Sequence, residues 1–299
     1  MIRIIVVLST YNGERFLKRQ LDSIFEQEGV NVTCYLRDDC SKDGTVDLAR
    51  KYSKAYDLIV ETGDNLGHQR SFMKALHDAP EGDFYAFADQ DDIWFPEKLK
   101  NAVEKLKPYG NKLPAMYHCN RISVDEDLTP LQHQMKRVGH PLNRENALSQ
   151  EYAQGCTIVM NSAARNLVLR YQPEKKYYHD YWTGMLCYLF GIVIYDERPQ
   201  MYHISYGTNT STEGHLVKGW IQRLSFFFKR KEVYYAPAKE LMDGYADLLS
   251  DDDKKFLKKV INYKHNFAYK LYLLFSPKYR REGIFGTISL KIAILFNKI

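Results

Sequence analysis

The segment AFADQDDIWFP, from Ala86 to Pro96, sets three carboxylates, Asp89, Asp91 and Asp92, directly after an apolar run. Three chemistries fit such a cluster: a solvated turn, a hard-cation site and a proton-transfer site. Asp89 and Asp91 are two residues apart, so in an extended segment they point the same way. One can then take ribose hydroxyls while the other takes Mg²⁺ or Mn²⁺, which prefer oxygen ligands. RDDCSKDGT carries a second acidic pair, Asp38 and Asp39, ahead of Asp43-Gly44-Thr45. Asp43 or Thr45 suits a helix cap, whereas the adjacent pair offers acceptors to a base or ribose ring. In GDNLGHQRS, Gly63 and Gly67 permit close backbone approach, and Asn65 and Arg70 offer donors to a diphosphate or base. Asp180 in YYHDYWTG lies among aromatic residues. It fits a helix N-cap, and equally a general base whose basicity poor solvation raises.

The elements that must position these residues follow one rhythm. Ile2 to Leu8 is a near-continuous β-branched run, as in a strand buried on both faces of a parallel sheet. The polar turn Ser9–Gly13 follows. ERFLKRQLDSIFEQ then sets Phe16, Leu17, Leu21, Ile24 and Phe25 near one helical face. Asn31–Leu36, Leu58–Thr62 and Phe84–Ala88 read as further strands, each ending in one of the acidic or glycine-containing loops and followed by a helical pattern. Pro96 suits the first turn of the last of these helices. This order predicts a doubly wound α/β region with a mostly parallel sheet and a ligand outside the carboxyl ends of its strands. Beyond residue 112, Ala115–Cys119, Gln154–Met160 and Gly191–Tyr195 read as strands, and HDYWTGMLCYLF as a helix. DEDLTPLQHQMKRVGHPLNREN reads as a polar excursion over the site, and the chain from Lys218 onward as aromatic, lysine-rich helices.

Composition limits the alternatives. The 299 residues are 45% hydrophobic, enough for one large core or two moderate ones. The formal net charge of +5 is uneven: residues 1–200 carry 25 Lys or Arg against 28 Asp or Glu, and residues 201–299 carry 17 against 9. The basic third suits an anionic membrane surface or a nucleic acid, but no nucleic-acid-binding signature accompanies it. The five cysteines lack C-x-x-C spacing, as expected of reduced thiols in a cytoplasmic protein. MIRIIVVLSTYNG reads as a first strand and not a signal peptide, and no apolar run is long enough to span a bilayer. Neither a Walker motif nor GxSxG is present.

Together VVLSTYNGERFLKRQLDSI, RDDCSKDGT, the DNLG loop, FADQDDIWFPEKL and YHDYW resemble the family 2 inverting glycosyltransferases of the GT-A fold, over residues 1 to about 210. The DQDDIW form is most similar to the bacterial rhamnosyltransferase-type branch, which builds surface polysaccharides. The resemblance implies a GT-A catalytic domain over residues 1–215 and a helical, basic and aromatic extension over 216–299. It implies that Thr10 and Tyr11 line the nucleotide pocket, that Asp38 and Asp39 face the base, and that Asp89 contacts the ribose. Asp91 would ligate Mg²⁺ or Mn²⁺ on the diphosphate, and Asp180 would be the catalytic base. Asp92 and Trp94 would shape the sugar and acceptor side, which Gln154, Gly155 and Cys156 would border. The implied donor is a nucleotide diphosphate sugar, with L-rhamnose suggested by the DQDD form. The implied acceptor is a saccharide or lipid-linked glycan.

One departure stands out. The branch often carries Tyr-Arg-x-His near the end of the catalytic region, whereas this chain reads MYHISYGTN. His203 occupies the arginine position and Ser205 the histidine position, so His203 is a candidate metal ligand that a small shift in the loop would bring into place. Two readings of the C-terminal region stand: peripheral contact with the inner face of a membrane through SFFFKR and the Tyr/Phe/Lys-rich end, or packing on the catalytic domain or in a homodimer. The competing functions are a sugar-phosphate nucleotidyltransferase, which usually shows an early glycine- and lysine-rich segment not seen in LSTYNGERF, and a non-catalytic nucleotide-sugar or glycan-binding protein.

Overall fold

The first β-branched run forms β1 (Arg3–Thr10), with Ile4 to Leu8 inaccessible to solvent. The computed structural model describes residues 2–132, 134, 139–206 and 235–299. Helix α1 (Glu14–Phe25) buries Leu17, Leu21 and Ile24 against the sheet, as the helical spacing predicts. The chain continues through β2 (Asn31–Asp38), α2 (Thr45–Tyr52), β3 (Leu58–Thr62), α3 (His68–Asp78) and β4 (Phe84–Ala88). β1 lies between β2 and β4, and β3 flanks β2, all in parallel. Parallel strands carry their C-terminal ends to one edge, and the acidic loops gather there for that reason.

After β4 the chain turns at Gln90–Asp91 and forms a short strand, β5 (Asp92–Trp94), before α4 (Lys98–Leu106). This corrects the placement of Asp89 and Asp91 on one face of an extended segment. Period-two alternation needs an unbroken strand, and the strand ends at Ala88. β6 (Ala115–Val124), β7 (Ile158–Asn161) and β8 (Ile192–Ile204) complete an eight-stranded sheet of order β3-β2-β1-β4-β7-β6-β8-β5. The first half of the sheet is parallel. In the second half β6–β8 is parallel, while β4–β7, β6–β7 and β5–β8 are antiparallel. The strand expected from Gln154 starts only at Ile158, after a 3₁₀ turn over Gly155–Thr157. β8 runs on to Ile204, so His203 lies on a strand.

The chain divides into two compact units. The first comprises residues 1–140, 152–169 and 176–208. It holds the sheet, α1 to α4, α6 (Ser162–Leu169) and α7 (His179–Phe190). The second comprises residues 141–151, 170–175 and 209–299. It holds α5 (Arg144–Ala147), α8 (Tyr235–Gly244), α9 (Asp251–Asn262), α10 (Phe267–Phe275) and α11 (Ile284–Leu295). Its core contains the buried rings of Tyr245, Tyr263 and Tyr279, and Ser250 with Asp253 forms a capping box on α9. Its internal segments are tied in by Tyr171 Oη donating to Glu240 Oε2 at 2.7 Å and by Arg144 on Asp253 at 2.8 Å. The segment GWIQRLSFFFKR and the 215/216 boundary lie outside the described residues. All five thiols are free.

Candidate active site

At the sheet edge, Thr10 ends β1 opposite Asp38, which ends β2. Thr10 Oγ1 donates to Asp38 Oδ1 at 3.0 Å, and Ser41 N donates to Asp38 Oδ2 at 2.8 Å. Asp39 accepts from Arg37 Nη1 at 2.6 Å and from the backbone N–H groups of Leu66 and Gly67, each at 2.8 Å. Arg37 also donates to Ser71 Oγ and to the Asp64 carbonyl. Asp38, Asp39 and Arg37 are all buried. The two carboxylates therefore brace the loops around the edge. Gly67 starts α3 with φ +78°, a backbone state that L side chains rarely adopt, and this brings its N–H to Asp39. An open depression of about 480 Å³ lies beside them, lined by Asp38, Ser41, Thr62, Gly63 and Asp64 among others. Asn65 and Arg70 are exposed, in the β3–α3 loop and the first turn of α3. Tyr11 is half exposed, and its backbone pairs reciprocally with the Gln90 amide at 2.9 and 3.2 Å. Gln90 thus ties the loop after β1 to the acidic turn after β4.

The acidic turn is surrounded by groups the motif itself does not reveal. His68 Nε2 lies 3.8 Å from Asp89 Oδ1. Burial opposes protonation of His68, but Asp89, Asp180 and Asp91 together outweigh it and hold the imidazole above its usual range. Burial likewise opposes ionisation of Asp89, and His68 overcomes it, so that carboxyl is held below its usual range. Asp91 is less well compensated: burial, with Asp92 and Asp89 beside it, outweighs the pull of His203 and pushes it up to about 7. Asp92 starts β5 opposite His203, and His203 Nδ1 lies 2.8 Å from Asp92 Oδ1. Burial opposes protonation of His203 too, but Asp92 holds it above its usual range. The register that aligns β5 with β8 therefore pairs His203 with Asp92 and not with Asp91. Trp94 is part of the core, with Lys98 Nζ 3.2 Å from its ring centroid, so its indole does not face a sugar or an acceptor. Burial lowers the Lys98 ammonium to about 8.

The third component comes from α7. Asp180 lies in its first turn, where the helix N-terminus favours negative charge. Its Oδ1 accepts from Tyr181 N at 2.7 Å and its Oδ2 from Gly155 N at 3.2 Å. Asp180 is only partly buried, so it is not fully enclosed as a poorly solvated carboxylate would be. Tyr177 stacks on Trp182. The enclosed residue is its neighbour His179, stacked on Phe72 at 4.0 Å and meeting Phe87 edge-on at 4.5 Å. Burial lowers its imidazole to about 4. A Cβ on Gly155 would sit 2.1 Å from His179 Nε2, so only glycine lets the 3₁₀ turn approach α7 and donate to Asp180. Gln154 Oε1 accepts from Arg121 Nε on β6.

The residues around Asp91 suit a divalent cation. Asp92 Oδ2 is buried with no hydrogen-bond partner, and the three carboxylates crowd enough to raise Asp91. Ligand atoms of Asp92, Cys156 and His203 lie within 4.8 Å of one another. Burial pushes the Cys156 thiol well above its usual range, and of the three side chains the hard carboxylate oxygens are the donors that Mg²⁺ or Mn²⁺ prefers. His68, Gln90, Arg121 and Lys98 were not singled out by sequence reasoning. For His68 and Arg121 the signal is tertiary, since each comes from another element and meets the cluster only in the folded chain; Gln90 and Lys98 stand in or just after the acidic motif, and what the fold adds is what they contact.

Three comparisons bear on this site. The family model for glycosyl transferase family 2 matches residues 5–170. The dTDP-rhamnosyl transferase RfbG of Shigella flexneri is 33% identical over 125 residues, covering 38% of this chain and 43% of that protein. The putative glycosyltransferase EpsE of Bacillus subtilis is 31% identical over 109 residues, covering 36% of this chain and 39% of that protein. The chain thus spans about 40% of the length of these curated relatives. Among solved structures, S. aureus TarS 1–349 in complex with UDP-GlcNAc superimposes with a TM-score of 0.59 at 19% identity, covering 93% of this chain and 76% of that one. That likeness is one of fold.

Proposed function

Because this chain belongs to glycosyl transferase family 2 and has the fold of its GT-A members, we propose that it moves a single sugar from a nucleotide diphosphate donor to a hydroxyl of a saccharide or lipid-linked glycan, with inversion at the anomeric carbon. The supporting observation is that His68 lies 3.8 Å from Asp89 of the β4 loop while its ring lies 5.5 Å from that of His179, the neighbour of Asp180 on α7. A donor site and a proton acceptor then lie side by side. In this reading the nucleotide occupies the edge formed by Thr10, Tyr11 and the loops that Asp38 and Asp39 brace, with Asn65 and Arg70 as donors and Asp89 on the ribose. Asp180 takes the proton from the acceptor hydroxyl as its oxygen bonds to the anomeric carbon, and the nucleoside diphosphate leaves with the bonding electron pair. Gln154 and Gly155 border the acceptor side, while Asp92, buried against His203, turns to the metal. Asp91, with Asp92 and His203, would hold Mg²⁺ or Mn²⁺, which offsets charge on the diphosphate when bound.

The identity shared with a dTDP-rhamnosyl transferase makes dTDP-L-rhamnose the first donor to try. Two measurements test the reading. Calorimetric titration with dTDP-rhamnose and UDP-hexoses, with and without Mn²⁺, should show one donor binding in a metal-dependent way. Asp180→Asn should retain that binding while sugar transfer falls at least about a hundredfold. Near-full transfer by the variant would refute Asp180 as the base, and no donor binding at all would refute the donor site. The site of action proposed is the inner face of the cell membrane. No helix among the described residues is long and apolar enough to cross a membrane.

A further inference from the structure

The last two helices of the second unit are apolar on the side that faces water. On α10, Phe267, Leu271 and Phe275 recur every four residues, and the two phenylalanines are 75% and 80% exposed. On α11, Ile284, Ile288 and Ile292 form the same stripe at 70%, 48% and 41% exposure, with Leu295 continuing it. An ordinary surface helix turns its polar face outward, and isolated exposed apolar residues need no explanation, but stripes on two adjoining helices do. The opposite side of α11 packs inward through Leu290 and Ile294. The pair is tied together by Lys291 Nζ, which donates to the carbonyls of Leu273, Ser276 and Tyr279, and by Lys270 Nζ on Asn297 Oδ1 at 3.0 Å. The apolar stripes are thus held outward by a formed structure.

The surrounding charge indicates what covers them. From Tyr263 to Ile299 the chain carries six Lys or Arg besides the inward-tied Lys291, and one acidic residue, Glu282. We propose that this face docks on an anionic lipid surface. The Phe and Ile side chains enter the boundary between headgroups and acyl chains, and the flanking Lys and Arg reach lipid phosphates with their aliphatic stems laid along the apolar layer. Nine- and twelve-residue helices are far too short to span a bilayer, so the contact is interfacial. This inference is independent of the donor-site reading, because none of its residues lies in the first unit.

Flotation with phosphatidylcholine vesicles, with and without phosphatidylglycerol, tests it on the full chain. Binding should require phosphatidylglycerol and weaken as salt rises. The exposed double variant Phe275→Glu/Ile288→Glu should lose at least about tenfold in vesicle partitioning, with unchanged circular dichroism and unchanged donor binding. Three results would overturn the proposal: a wild-type chain that stays unbound to anionic vesicles at low salt; a variant that binds as well as wild type; and concentration-dependent self-association, without vesicle binding, that the same substitutions abolish, since a second copy would then be the occupant.

Discussion

His179 and Asp180 are adjacent in sequence, yet the fold uses them in opposite ways. The helix turn sends the imidazole between Phe72 and Phe87 and leaves the carboxylate partly in solvent, held by two backbone N–H groups. A buried neutral histidine has a consequence for stability. Its pKa is about 4 in the folded chain, against about 6.5 when unfolded. Between those values the unfolded chain binds the proton and the folded chain does not. Stability is therefore fully present above about pH 6.5 and is lost as pH falls toward 4. Urea unfolding at about pH 7.5 and pH 5 should differ by about 2 kcal/mol from this group alone. His179→Phe should shrink the difference by that amount, and an unchanged difference would show that the ring is not buried neutral. Sequence reasoning assigned the aromatic enclosure to Asp180, because one position along a helix rotates a side chain by roughly a quarter turn or more. Which of two neighbours faces the core depends on what α7 packs against.

At the scale of elements, the loops at the sheet edge are not free to move independently. Arg37, two residues before Asp39 on β2, joins Asp39, Ser71 on α3 and the Asp64 carbonyl. One buried guanidinium thus holds the β2 end, the β3–α3 loop and α3 together. Arg37→Met should cost about 3–5 kcal/mol, because Asp39 is left charged and buried without its cation. Adding Asp39→Asn should recover part of that loss. The denaturation midpoints of the two single variants and the double variant measure this directly, and strict additivity would contradict the coupling. The strand–loop–helix order of this half was legible in the sequence because β-branched runs, acidic loop ends and helical spacing repeat in register. β5 was not legible. Three residues carry no period, and Asp92-Ile93-Trp94 becomes a strand only by pairing with β8.

At the scale of the whole molecule, the second unit is not a simple C-terminal appendage. It draws residues 141–151 and 170–175 from the middle of the chain, where Tyr171 meets Glu240 and Asn146 donates to the Arg280 carbonyl. A chain ending at residue 215 would leave these segments without their partners. It should melt at least roughly 5 °C lower than the full chain and bind a hydrophobic dye. Equal melting temperatures would show that the inner segments belong with the first unit. For this reason the test of the lipid-facing helices uses point substitutions on their outer faces and leaves the core of the second unit whole.

The amino-acid sequence by itself determined the strand–loop–helix succession of the first half, the loops that carry chemistry and the family they resemble, because these rest on local periodicity and on motifs a few residues long. Only the tertiary structure decided that Asp38 and Asp39 brace loops, that His203 pairs with Asp92 across two strands, that His68 stands among three carboxylates and that Trp94 lies inside the core. Those facts depend on registers and packing between residues that are in some cases more than a hundred positions apart. Local spacing carries no information about such distances.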